Sequence, residues 1–235
     1  MQTETIHYRD GDQELEGFCA FDPAAGPRPA VLVSHAWGGP SDNERAKAQA
    51  LCELGYVGFA LDVYGTGKRG TTPDVNSKLM EPFLEDRSLL ERRMLAAVET
   101  VRGLDAVDAS KVGAIGFCFG GLCVLDLARS GADLAGVVSF HGLLGGREGM
   151  PTQDVKAKVL VCHGASDAFV TKEQFDAFTE EMTDAGADWQ LHMYGHAVHA
   201  FTNPNANDPD FGTVYEPKAD RRSWRAMVDF FEEVF

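Results

Sequence analysis

A cysteine lies at the point where a buried strand is followed directly by a helix. The stretch KVGAIGFCFGGLC at residues 111 to 123 predicts a strand over 112 to 116 and a helix over 119 to 129, with Cys118 between them in a GxCxG pattern. Such a junction holds its central residue at positive φ and leaves no room for side chains at the flanking glycines. A thiol placed there faces a helix N-terminus, whose dipole favours the thiolate. The pattern therefore predicts that Cys118 is a nucleophile.

Two later segments supply the partners that a nucleophilic thiol needs. VLVCHGASD at residues 159 to 167 predicts a buried strand and a loop that carries Asp167, and WQLHMYGHAVH at residues 189 to 199 predicts a strand and a loop that carries His199. The chain order nucleophile, acid, histidine is the order found in α/β-hydrolases. We therefore expect His199 to be the general base for Cys118 and Asp167 to orient the imidazole.

The three segments resemble the dienelactone hydrolase family. The resemblance rests on GFCFGG around Cys118, HGASD ending at Asp167 and YGHAVHAFTNP around His199, and it covers most of the chain. VLVSHAWGG at residues 31 to 39 and LDVYGTG at residues 61 to 67 are weaker matches. The resemblance implies a Cys, Asp, His triad that opens lactone or ester bonds in an α/β-hydrolase fold.

The sequence departs from the family's pattern at two places. Several members carry a glutamate that holds the resting thiol, at a position occupied here by His35 or Ala36, so we expect Cys118 to pair directly with His199 as an ion pair. An arginine that binds the substrate carboxylate is replaced by Asn203, which disfavours an anionic dienelactone. Four arginines elsewhere are candidates to substitute for it: Arg87, Arg92, Arg93 and Arg147.

The negative charge of a tetrahedral intermediate requires two preorganised donors. The backbone N–H of Phe119, directly after the nucleophile, is the expected first donor, and the backbone of Ala36 or Trp37 the expected second. For the aromatic residues of the pocket, burial in the core is the alternative interpretation. The other residues predicted to bind substrate or oxyanion are His35, Tyr64 and Phe201.

The pattern of apolar segments predicts an α/β-hydrolase fold, a single domain over residues 1 to 235 with a mostly parallel central sheet flanked by helices. A hairpin is expected around Asp10, Gly11 and Asp12 at the start of the chain. The irregular stretch from 63 to 82 is predicted to be a loop over the site. Strands are predicted near 31 to 35, 57 to 62, 112 to 116, 135 to 140, 158 to 162 and 189 to 194, and helices over 43 to 54, 88 to 102, 119 to 129 and 218 to 235.

Composition limits the classes of partner. The net charge of −15 disfavours nucleic acid, and no stretch approaches the length of a membrane span. The five cysteines show no CxxC spacing and no disulfide framework, so we expect a reducing, cytoplasmic location. The expected partner is a small-molecule ester or lactone, and the protein is expected to be a monomer or a homodimer.

Three other interpretations stay open at this point. A hydrolase-fold protein with a reactive Cys118 can be a binding or redox-sensing module without catalysis. Glutaminase-type amidotransferases share the GxCxG elbow, but their base and acid lie close together in sequence, unlike Asp167 and His199 here. The histidines at 192, 196 and 199 suggest a metal site only weakly, because no acidic or cysteine ligand accompanies them at helical spacing. We predict neither a cofactor nor a metal, and a hydrolase that forms a thioester acyl-enzyme.

Overall fold

The computed structural model describes residues 1–147 and 149–235. The strands are β1 (Gln2–Asp10), β2 (Gln13–Phe21), β3 (Arg28–Ser34), β4 (Val57–Ala60), β5 (Val107–Phe117), β6 (Gly136–Phe140), β7 (Lys158–Gly164), β8 (Trp189–Tyr194), β9 (Asn207–Asp208) and β10 (Thr213–Val214). The helices are α1 (Asp42–Glu53), α2 (Pro73–Glu85), α3 (Arg87–Arg102), α4 (Phe119–Arg129), α5 (Lys172–Asp184) and α6 (Pro217–Val234).

Among the described residues, the strands form an eight-stranded sheet in the order β1-β2-β4-β3-β5-β6-β7-β8 and a separate pair, β9 and β10. β3 pairs with β4, β6 with β7 and β7 with β8 in parallel, whereas β1 and β2 are antiparallel. Parallel strands joined through helices define an α/β architecture, as predicted. The chain divides into two compact units, Met1–Ile115 and Gly116–Phe235, so a single domain over 1 to 235 stays a prediction.

The first unit begins with the predicted hairpin. β1 and β2 pair from Gln2 with Phe21 to Asp10 with Gln13, and Gly11 takes the positive φ of 57° that the tight turn requires. α1 begins at a capping box in which the Ser41 hydroxyl accepts from the Asn43 N–H and the Glu44 carboxylate accepts from the Ser41 N–H. All four residues of β4 are buried, as expected of an interior strand, which pairs in parallel with β3 and antiparallel with β2.

The second unit places strand ends beside one another. β6, β7 and β8 are neighbours in register, with Phe140 opposite Cys162 and Cys162 opposite His192. Every residue of α4 is buried, which is typical of a helix packed on all sides rather than one with a solvent face. The carboxyl ends of parallel strands share one edge of a sheet, so the loops that follow β6 and β7 meet there.

The prediction of a loop over residues 63 to 82 is wrong from residue 73 onward. Residues Pro73–Glu85 form α2, with Pro73 in the first turn, where a missing N–H costs nothing and the fixed φ suits the helix. Pro82 lies inside the same helix, near its end. The loop prediction treats the glycines and prolines of this stretch as helix breakers, whereas Pro73 starts a helix.

Candidate active site

Cys118 connects β5 to α4 in a strained turn. Its φ of 55° and ψ of −116° make it a non-glycine residue at positive φ, and its N–H donates to the carbonyl of Phe140 over 3.1 Å. A Cβ on Gly116 would collide with the carbonyl of Gly120, and one on Gly121 would lie 2.6 Å from Gly142 Cα. These close approaches explain why the cysteine is bracketed by glycines, and strain of this kind concentrates at functional sites.

Asp167 and His199 are held together in the second unit. His199 Nδ1 donates to Asp167 Oδ2 over 2.8 Å, and the other carboxylate oxygen accepts from the Phe169 N–H over 2.9 Å. Both side chains are almost fully buried. Because Nδ1 is bound to the carboxylate, Nε2 is the nitrogen left for a substrate or nucleophile.

The pKa values of His199 and Asp167 differ from those of isolated side chains. Burial lowers the pKa of His199, but the Cys118 charge, the hydrogen bond that His199 donates to Asp167 and the Asp167 charge outweigh it and raise the pKa to about 10. Burial alone would raise the pKa of Asp167, yet the rings of His163 and His199 hold it well below its usual range. Asp167 is therefore ionised and His199 is protonated at neutral pH.

The sequence patterns do not identify two buried histidines that lie beside Asp167 and His199. His141 has a positive φ of 40°, its Nε2 lies 2.8 Å from Thr202 Oγ1, and its ring packs edge-on against His199 at 5.1 Å. Burial, followed by the charge on His199, holds the pKa of His141 well below its usual value, so it is neutral. His163 Nε2 lies 3.3 Å from Asp167 Oδ2, although neither ring nitrogen makes a hydrogen bond among the described residues.

A shared sequence feature could have identified these histidines. His35 directly follows β3, His141 directly follows β6 and His163 is the next-to-last residue of β7, so a histidine stands at the carboxyl end of each of these buried strands. At that edge of a parallel sheet, polar residues commonly serve the site.

The first unit holds the residues predicted from the loop after β3. His35 is buried, its Nδ1 lies 2.7 Å from the Ala36 carbonyl, and its Nε2 accepts from the Val63 N–H over 3.1 Å. Burial, partly offset by the hydrogen bond to Ala36, lowers the pKa of His35 to about 4, so it is neutral. The buried Tyr64 hydroxyl donates to the Trp37 carbonyl over 2.9 Å. The carbonyls of Ala36 and Trp37 are thus fixed within this unit.

The remaining predicted residues lie in the second unit. Phe119 is the first residue of α4, so its N–H points out of the helix N-terminus beside Cys118. Phe201 is fully buried and packs at 5.2 Å against His141 and at 5.6 Å against Tyr194. The structure therefore gives Phe201 a packing role, and its contact with substrate stays a prediction.

The model of the dienelactone hydrolase family matches residues 15–235. The chain belongs to this family. A promiscuous phosphotriesterase from metagenomic libraries, described as dienelactone hydrolase-like, has a solved structure with a TM-score of 0.94 and 37% identity, over 100% of this chain and 98% of that one. A putative carboxymethylenebutenolidase of Aquifex aeolicus is 28% identical over 97% of each chain. An uncharacterised protein of Caenorhabditis elegans is 40% identical over 62% of this chain and 94% of its own length.

Family membership establishes a dienelactone hydrolase-like hydrolase of ester or lactone bonds with an α/β-hydrolase fold. The family's arginine position is different here: Asn203 Oδ1 accepts from the Asn205 N–H over 3.0 Å and so closes a turn. Among the candidate substitutes, Arg92 and Arg93 lie 3.7 and 2.9 Å from Asp10 carboxylate oxygens.

Arg147, another of these candidates, belongs to a buried network instead. It donates to the carbonyls of Arg129 and Pro151, each over 2.8 Å. Arg129 in turn binds Glu181 with two nitrogens, at 3.0 and 2.8 Å. These contacts tie the segment after β6 to α4 and α5, which assigns both arginines to structure.

Residues 1–147 and 149–235 lack two structural features. No helix there combines the length and apolar character needed to cross a membrane. No cluster of three or more histidine, cysteine or acidic side chains there has the arrangement of a metal site.

Proposed function

We propose that the chain hydrolyses carboxylic esters or lactones by nucleophilic catalysis, with Cys118 as nucleophile, His199 as proton carrier and Asp167 as the group that orients His199. One observation carries the proposal: a cysteine at positive φ on a helix N-terminus is close enough for its charge to raise the pKa of a histidine, and that histidine donates over 2.8 Å to a buried carboxylate. Nucleophile, base and orienting acid in contact are the signature of covalent catalysis.

The resting enzyme is an ion pair of Cys118 thiolate and His199 imidazolium. A His199 pKa of about 10 supports this state, because Cys118 is among the groups that raise it. His35, which stands where several relatives have a glutamate, is neutral and bound to the backbone of Ala36 and Val63. No third group is needed to activate the thiol, since the histidine and the helix N-terminus both favour its charged form.

The reaction then follows from the positions of the three groups. The Cys118 sulfur attacks the carbonyl carbon, and the resulting oxyanion is stabilised by the Phe119 N–H. His199 Nε2 gives its proton to the leaving oxygen, and the C–O bond breaks to leave a thioester. Water deprotonated by the same nitrogen hydrolyses the thioester and regenerates the ion pair. The second oxyanion donor, from Ala36 or Trp37, stays a prediction.

The substrate we propose is uncharged at the acyl group. Asn203 closes a turn where dienelactone-cleaving relatives are expected to carry an arginine, and Arg92, Arg93 and Arg147 are engaged elsewhere. Three of the four candidate substitutes are thus engaged and Arg87 stays a candidate, so a substrate carboxylate gains less here than beside a dedicated arginine. Simple esters and unsubstituted lactones are therefore preferred to anionic dienelactones.

The test compares wild type with Cys118→Ala and Cys118→Ser on activated esters and a set of lactones, while intact-mass spectrometry looks for an acyl adduct. We expect the alanine variant to lose turnover and adduct together, and the serine variant to lose most activity because His199 is matched to a thiolate. Turnover that survives Cys118→Ala would disprove the mechanism. A wild type that is inert but readily oxidised at Cys118 would support the redox-sensing alternative instead.

An activated phosphotriester belongs in the same panel as a second candidate substrate. The observation that favours it is the 37% identical relative described as a promiscuous phosphotriesterase. Attack of the thiolate at phosphorus would break one P–O bond, with the proton of His199 passing to the departing alcohol or phenol. The phosphoryl-cysteine left behind is distinguished from an acyl adduct by intact mass.

A further inference from the structure

Two exposed phenylalanines stand beside the candidate proton carrier. Phe169 is 38% exposed and Phe211 is 47% exposed, which makes them two of the few large apolar side chains on the described surface. Their ring centroids are 5.5 Å apart with a T-shaped arrangement, and the Phe169 centroid is 4.7 Å from that of His199. Adjacent exposed aromatics next to a reactive group indicate a binding surface rather than a random surface feature.

The backbone fixes both rings relative to the triad. The Phe169 N–H donates to Asp167 Oδ1 over 2.9 Å, so the turn that places the carboxylate also places this ring. Phe211 lies in the segment between β9 and β10, where its N–H donates to Asp208 Oδ1 over 3.0 Å. The Val214 N–H donates to the His199 carbonyl over 3.2 Å, which ties this hairpin to the histidine.

We propose that Phe169 and Phe211 form a subsite for an uncharged aromatic leaving group. The inference rests on the proposed function, because the leaving oxygen must lie at His199 Nε2 to receive its proton. A group attached to that oxygen then lies next to the Phe169 ring, and an aromatic group gains offset or edge-to-face contact with both phenylalanines.

The charges around the subsite agree with an uncharged group. Asp208 and Asp210 are exposed on the hairpin that carries Phe211. Carboxylates at this position repel an anionic leaving group, and no such repulsion acts on a phenol. Aryl esters are therefore the substrate class that this arrangement favours.

The experiment measures kcat/KM for two esters of one acid, phenyl acetate and hexafluoroisopropyl acetate, whose leaving groups are of similar acidity but differ in aromaticity. The two esters share an acyl-enzyme, so a difference in kcat/KM reports only the acylation step. Phe211→Ala is the primary variant because Phe211 is the more exposed ring. We expect the phenyl to fluoroalkyl ratio to fall by about threefold to tenfold.

Two further variants sharpen the result. Phe211→Leu keeps an apolar side chain and should lower the ratio nearly as much as alanine, because the aromatic ring is lost. Leu54→Ala, a truncation of another exposed apolar residue at 43% exposure, should leave the ratio unchanged.

An equal loss on both esters in Phe211→Ala, or an unchanged ratio, would overturn the subsite. Failure of the proposed function has a different signature, namely hydrolysis of both esters that persists in Cys118→Ala.

Discussion

Replacement of Asp167 by asparagine tests the coupling within the triad. The carboxylate accepts from His199 Nδ1 over 2.8 Å, and its charge and hydrogen bond are two of the causes that raise the pKa of His199 to about 10. Asparagine has the same shape but no charge, and its amide can hold the imidazole in the wrong tautomer.

The size of the effect follows from the pKa. The shift from 6.5 to about 10 corresponds to a preference for the imidazolium on the order of 5 kcal/mol. Loss of the Asp167 charge removes two of the causes that raise this pKa, so the pKa of His199 in the variant falls below its wild-type value. The rate falls further, by up to about 10⁴-fold, because the orientation of the imidazole is lost as well.

The assay is kcat/KM against pH for an alkyl ester, whose poor leaving group needs the proton of His199. The imidazolium is present below its pKa and lost above it, so the wild-type rate should hold through neutral pH and decline above about pH 10. In Asp167→Asn the decline should begin at a lower pH than in wild type. A ¹H NMR titration of the His199 ring measures the same pKa without turnover.

Asp176→Asn is the matched control, because Asp176 is an acid on α5 with an exposed pair to Lys172. Its alkaline decline should match that of wild type. The reasoning is refuted if Asp167→Asn keeps the decline near pH 10 and loses less than about tenfold in kcat/KM, a much smaller loss than an orienting carboxylate predicts.

Two predictions concern stability and are measured by urea unfolding. Cys118→Gly should be more stable than Cys118→Ala by about 1 kcal/mol, because both lack the thiol but only glycine relieves the positive φ; equal stabilities would show that the turn is unstrained. Arg129→Met should cost about 3 to 5 kcal/mol, since it leaves Glu181 and Asp126 without their cation. Lys172→Met, at an exposed pair, should cost less than about 1 kcal/mol, and a similar cost for the two substitutions would contradict this account.

The sequence predicted the frame of the fold because its core strands are short, buried and bounded by turn residues. The predicted strand over 112 to 116 lies within Val107–Phe117, and the predicted helix over 119 to 129 has the observed bounds. The helix Pro73–Glu85 was missed because Pro73 and Pro82 suggested a loop, and only one residue of that helix, Phe83, is buried.

The candidate site was predictable in part for a related reason. Cys118 and His199 lie in local patterns, a GxCxG elbow and a glycine loop, that fix the backbone by themselves. His141 and Phe211 lie near His199 only because separate strand ends and a hairpin converge there, and such proximity depends on register rather than on spacing. Phe201 lies two residues after His199 in sequence and is fully buried, and its contact with substrate stays a prediction.

The hairpin of β9 and β10 allows its tip, which carries Phe211, to be substituted without displacing His199. It holds the His199 loop through backbone atoms, with the Val214 N–H on the His199 carbonyl and a bridge between His199 and Thr213. Backbone hydrogen bonds do not depend on side-chain identity, so Phe211 can be exchanged while the imidazole keeps its place. Selection for a new leaving group can therefore act on the hairpin tip without disturbing proton transfer, and libraries randomised at residues 209 to 211 should retain a high fraction of active clones.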